Sequence, residues 1–96
     1  MSQVTLLFSN EVVLEDERVM KLDYSLIEKA SEADPETSYY GVKVTKHLGN
    51  QIEMDEIPAI SDSKGFVVSI IKKLCLFEVT PISMIEIVDG LFTEGM

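Results

Sequence analysis

The chain has one histidine, His47, and one cysteine, Cys75, so an imidazole–thiolate pair can only be built from these two. A reactive thiol needs an accessible, electropositive setting that keeps it ionised. Cys75 falls instead on the apolar arc of a helical pattern, where a thiol packs as a small hydrophobe. His47 stands at the turn end of an alternating segment and faces Gln51 across a three-residue turn. A turn shifted by two residues would bring it to Glu53, whose carboxylate would orient the ring. Glu53 and Asp55, two apart on one strand face, are the residue types that acid–base work uses. That work also needs a cleft that raises one of the two pKa values. An open face with Lys43 opposite offers an ion pair instead. Glu53, Asp55, Asp23 and His47 together have divalent-ion ligand types, but no spacing that selects a metal. The sequence holds no dinucleotide or phosphate-loop glycine motif, no G-x-S-x-G and no H-E-x-x-H. The chain is therefore expected not to be an enzyme, with no catalytic, metal or cofactor site.

Composition narrows the field further. The 96 residues suit one domain, and an apolar share of 46% is that of a folded chain. A net charge of −9 repels nucleic acid and anionic lipid. Mimicry of DNA would need the acidic residues on one face, and they are spread along the chain. A single cysteine excludes an intrachain disulfide. No run approaches the ~20 apolar residues that cross a bilayer. The N-terminus lacks the basic lead of a signal peptide, so a reducing cytoplasm is the expected setting.

Three segments alternate with the period of a half-buried strand, at about 19–28, 39–48 and 51–57. A weaker first strand lies at about 4–8 or 11–14, ahead of the solvated turn Glu15-Asp16-Glu17. In order these make an antiparallel meander of three or four strands. A two-residue turn at Gly49-Asn50 would set Val44 opposite Asp55 and mix the faces. A three-residue turn pairs Val44 with Met54, and is the expectation. The outward set is then Lys21, Asp23, Ser25, Lys43, Thr45, Glu53 and Asp55. One wet face and one covered face predict a two-layer α+β domain spanning residues 1–96.

Two C-terminal helices, at about 62–77 and 81–92, supply the cover. Ser61-Asp62-Ser63 offers cap oxygens to the first. Thr80-Pro81 starts the second, where the missing N–H of proline costs nothing. The first helix has an apolar arc of roughly 200°, and the second is apolar over more than half its circumference. A sheet cover needs little over 100°. The helices can bury part of the excess against each other. Leu76, Met84 and Leu91 are the positions expected to remain for another chain. A homodimer is the expected form, since two-fold pairing dominates soluble oligomers; another cytoplasmic protein is the alternative. The pair is not a helix-turn-helix, because no basic residue follows Pro81. A second reading places a small-ligand or metal pocket near Tyr24, Tyr39, Tyr40 and His47, whose rings combine apolar bodies with polar tips.

Four strings carry a resemblance: Tyr39-Tyr40-Gly41-Val42-Lys43-Val44, Ile57-Pro58-Ala59-Ile60-Ser61, a helix of the Val-Ile-Lys-Lys-Leu type that here reads Ile70-Ile71-Lys72-Lys73-Leu74, and Val79-Thr80-Pro81-Ile82 with its apolar tail. Over about Val19 to Phe92 the chain resembles a family of small uncharacterised domains from Firmicutes, chiefly clostridia. The resemblance implies a bacterial cytoplasmic origin. It implies no activity and no site residues.

Overall fold

Each strand pairs antiparallel with the strand that precedes it in sequence. The computed structural model describes residues 2–94, with side chains through residue 90. Strands β1 (Ser2–Val13), β2 (Val19–Ala30), β3 (Ser38–Leu48) and β4 (Gln51–Ser61) form one sheet in the order β1-β2-β3-β4. Helices α1 (Lys64–Leu76) and α2 (Pro81–Glu94) cover one face, which makes an open-sheet α+β fold. Leu22, Tyr24 and Leu26 of β2 and Val42 and Val44 of β3 point to the helices. Val67, Ile71, Leu74 and Met84 come down to meet them. Each such side chain contributes roughly 1.5–3 kcal/mol on leaving water. No helix among the described residues is long and apolar enough to cross a membrane.

Both halves of the N-terminal run lie in β1. A bulge between Leu6 and Phe8 lets the strand change phase. Val4 and Leu6 pair with Ile27 and Ser25 on the uncovered face, whereas Phe8 pairs with Tyr24 on the helix face. That phase change explains why neither half alternates well with the other. The β1–β2 turn is tied by Asp16, which accepts from the N–H and the guanidinium of Arg18. Those two bonds hold the Asp16 carboxyl below its ordinary pKa.

The β3–β4 turn corrects the expected register. It is the two-residue Gly49-Asn50 turn, with Leu48 opposite Gln51, Val44 opposite Asp55 and Thr45 opposite Met54. Gly49 has φ +60°, the conformation that the first position of a II′ hairpin reserves for glycine. Ile52 and Met54 therefore face away from the helices, 60% and 57% exposed, while Glu53 and Asp55 share the helix-side face. The turn decides because the start of β4 is a sheet edge that no helix residue buries. The uncovered face thus carries apolar residues at its margins, and only its centre is polar.

Farther along, one residue of β3 faces three of β4. Val42 pairs with Ile57 and Tyr40 with Ser61, leaving Gly41 under the chain that carries Pro58. A Cβ at Gly41 would come 2.0 Å from the Ile57 carbonyl oxygen and 2.5 Å from the Pro58 carbonyl carbon. Two of the strings singled out in the sequence are thus pressed against each other, and glycine is what lets them meet.

The Ser63 hydroxyl caps α1 by accepting the Phe66 N–H at 3.3 Å. The two helices do not pack closely on each other as expected. α1 lies mainly over β2 and β3, and α2 over β4 and β3. Their excess apolar surface is therefore not hidden between them.

Candidate interaction surface

The link from α1 to α2 is tied at several points. α1 closes with the N–H of Phe77 on the Lys73 carbonyl (3.0 Å), Glu78 on Cys75 (3.1 Å) and Val79 on Leu74 (3.0 Å). Glu78 adopts φ +53° to turn the chain, a conformation usually left to glycine at a helix end. Two strand side chains reach up to the same place. The Tyr24 hydroxyl donates to the Val79 carbonyl at 2.9 Å, and the Asn10 amide donates to the Cys75 carbonyl. The junction is thus fixed to β1 and β2 by donor side chains that neither helix supplies.

What this anchored junction shows to solvent is apolar. Leu76 is 74% exposed and Ile82 79% exposed, with Phe77 and Ile85 also outside. On α1, Val67, Ile70, Ile71 and Leu74 face the sheet. Ser69, Lys72, Lys73 and Leu76 form the opposite stripe, following from 100° per residue. On α2, Met84 and Val88 are buried, and Ile82, Ile85, Glu86 and Asp89 are exposed. No fold requirement places leucine and isoleucine on those outer stripes.

Burial pushes the Tyr24 hydroxyl well above the ordinary tyrosine pKa, and negative charge on Cys75 and Glu78 adds to the shift. The unfolded chain therefore loses this proton before the folded chain does. Tyr24 contributes stability in full below about pH 10, the unfolded value, and that stability is lost as pH rises toward the folded value. Absorbance titration at 295 nm is expected to show one tyrosine that ionises only as the fold opens. Tyr24→Phe should remove that late step and cost about 1–2 kcal/mol, because the buried Val79 carbonyl loses its donor.

The other residues singled out in the sequence are dispersed. Met84, expected to remain for a partner, is fully buried in the core, because it shares the sheet-facing stripe of α2 with Val88. The side chain of Leu91 lies outside the described residues. Tyr24 is internal, so it lines no pocket. Tyr40 packs against the core and Tyr39 lies on the uncovered face. His47 stands at the other end of β3, eight residues and about 25 Å from Tyr39. The tyrosines and His47 do not converge. Between α2 and β4 there is an open groove of about 320 Å³, lined by Ile57, Ala59, Ile60, Ile85, Val88 and Asp89. Asp89 is the one charged residue among these, which gives little to orient a polar ligand.

His47 does have a carboxylate, but from Asp23 rather than Glu53. Its Nε2 is 3.0 Å from Asp23 Oδ2, while the Ser9 hydroxyl donates to Asp23 Oδ1 at 2.7 Å. The carboxylate sits between the two, so the hydroxyl is not aimed at the imidazole as a nucleophile would be. Cys75 is packed on the far side of the sheet. Glu53 and Asp55 also lie on the face opposite His47, and among the described residues no three metal-ligating groups are gathered. Sequence reasoning placed Asp23 and His47 in one group by residue type without pairing them, and missed Asn10 and Ser9. An asparagine and a serine in the middle of an apolar run were the available signal.

A family model described as "Family of unknown function (DUF6514)" matches residues 3–94. The chain belongs to the DUF6514 family. The match spans every strand and both helices, so the arrangement around the junction lies within the DUF6514 domain. No curated protein and no solved structure matches this DUF6514 chain significantly.

Proposed function

We propose that this DUF6514 chain is a non-enzymatic association module that pairs with another protein molecule, in the first instance a copy of itself, through its helical layer. The carrying observation is the exposed apolar set at the helix junction, led by Leu76 and Ile82. Large side chains so exposed on an anchored, rigid support are what a partner surface consists of. The dispersal of His47, Cys75 and the paired carboxylates over opposite faces supports a role without chemistry of its own. A bacterial cytoplasm, in Firmicutes, is the setting this reading takes from the resemblance, and the lone cysteine agrees with it.

Sedimentation velocity over a concentration series tests the reading. The wild-type chain is expected to sediment as a dimer at tens of micromolar. Leu76→Asp and Ile82→Asp should each weaken association about 100-fold, since a carboxylate would have to leave water without a partner. Both positions are exposed, so the variants keep the circular dichroism spectrum of the parent. A wild-type chain that stays monomeric at millimolar concentration overturns the proposal.

A further inference from the structure

The charge of the chain is unevenly placed, and the helical layer is its nearly balanced part. From Lys64 to Glu94 three lysines, Lys64, Lys72 and Lys73, stand against four acids, Glu78, Glu86, Asp89 and Glu94, a balance of −1. All but one unit of the net charge of −9 thus arises outside the helical layer. Two copies of an acidic chain meet with least repulsion where each is locally nearest to neutral. Within the layer the signs are also segregated. α1 carries lysines and no acid, while α2 carries acids and no base. A wholly basic partner would suit α2 and be repelled by α1. The surface that suits both must itself carry a basic strip beside an acidic one.

The positions of the exposed residues add a symmetry. Leu76 precedes Val79 by three residues and Ile82 follows it by three. Lys72 precedes it by seven and Glu86 follows it by seven. At 1.5 Å per helical residue Lys72 lies about 6 Å before Leu76 along α1, and Glu86 about 6 Å after Ile82 along α2. Val79 itself is held in place by the Tyr24 hydroxyl. Leu76 and Lys72 are four apart on the outer stripe of α1, and Ile82 and Glu86 are four apart on α2, so each pair shares a face. A two-fold axis in the plane of the layer, passing through the junction, would exchange α1 with α2. A second copy turned by 180° about it lays its α1 on α2 of the first.

We infer that the partner of the helical layer is a second copy of this chain in that two-fold arrangement. Leu76 packs on Ile82 of the second copy, and Lys72 faces Glu86 of the second copy, each contact occurring twice. The apolar centre supplies the adhesion and the lysine–glutamate pairs set the register and exclude other partners. The inference rests on the association reading and adds to it which surface is complementary to which.

Charge exchange tests it. K72E leaves four acidic groups facing one another across the dimer, and E86K leaves four lysines. Each variant alone is expected to dimerise about tenfold more weakly at low salt, with the difference shrinking in 0.5 M sodium chloride. The doubly substituted chain K72E/E86K restores the pairs and recovers wild-type affinity. An equimolar mixture of the two single variants should form heterodimers in preference to either homodimer, read by native mass spectrometry. Single variants that dimerise like wild type, or a mixture that forms no heterodimer, overturn this arrangement. If L76D still dissociates the dimer in that case, association through the helical layer stands without it. A wild-type chain that never dimerises removes both.

Discussion

Gly41→Ala is expected to destabilise the fold by at least about 3 kcal/mol and to lower Tm by at least ~12 °C. The added methyl carbon would sit 2.0 Å from the Ile57 carbonyl oxygen and 2.6 Å from that of Pro58. Both atoms are backbone, so no side-chain rotation relieves the clash. The chain could move aside only by breaking the pairings of Tyr40 with Ser61 and Val42 with Ile57 that flank the bulge. Ile57 and Ile60 would leave the core with it, and both pack there now. Against a total of roughly 5–10 kcal/mol for a domain of this size, such a loss leaves a large unfolded population at 37 °C. Gly65→Ala is the control. It adds a methyl group to the first turn of α1 with nothing within 4 Å, and should stabilise by a few tenths of a kcal/mol up to ~1. Thermal melts followed at 222 nm separate the two, and a Gly41→Ala protein melting within 4 °C of the parent would refute the contact.

Met84→Ala should cost about 2–5 kcal/mol, whereas Leu76→Ala should change stability by no more than ~0.5 kcal/mol. Met84 is fully enclosed between α2 and the sheet, so truncation leaves a cavity within the core cluster that also holds Leu74 and Val88. Leu76 is 74% exposed and has little packing to lose. Urea denaturation at low micromolar protein or below keeps association from contributing to either value. Equal losses for the two variants would mean that the outer stripe of α1 is not solvent-facing in the folded monomer.

The fold was legible where periodicity had a buried face to report. Leu22, Tyr24, Leu26, Val42 and Val44 alternate because the helices press on every second residue of the two central strands. The cap Ser63 and the break at Thr80-Pro81 mark the helices by local chemistry that needs no partner. Edge strands carry no such report. Ile52 and Met54 alternate with acids as a buried strand would, yet they face outward, since the Gly49-Asn50 turn set the register and nothing on the edge opposed it. In β1 the bulge at Leu7 reverses the alternation halfway, which hid one long strand as two short ones. The exposed apolar stripe was half legible: Leu76 lies outside, but Met84 is buried and Ile82 exposed, because which residue points outward depends on how each helix is rotated on the sheet. The pairing of His47 with Asp23 was missed because it is diagonal: Asp23 lies opposite Thr45 and His47 opposite Lys21, so the strand register alone does not join them.

Because every strand hydrogen-bonds only to its neighbours in the chain, the sheet needs no crossover. Successive hairpins can close as the polypeptide leaves the ribosome, each linking residues a short way back. The helical layer, by contrast, is joined to the sheet across 55 and 65 residues by Tyr24 and Asn10, so refolding is expected between the rates of helical bundles and of all-β folds. The helices, made last, then seal a platform already in place.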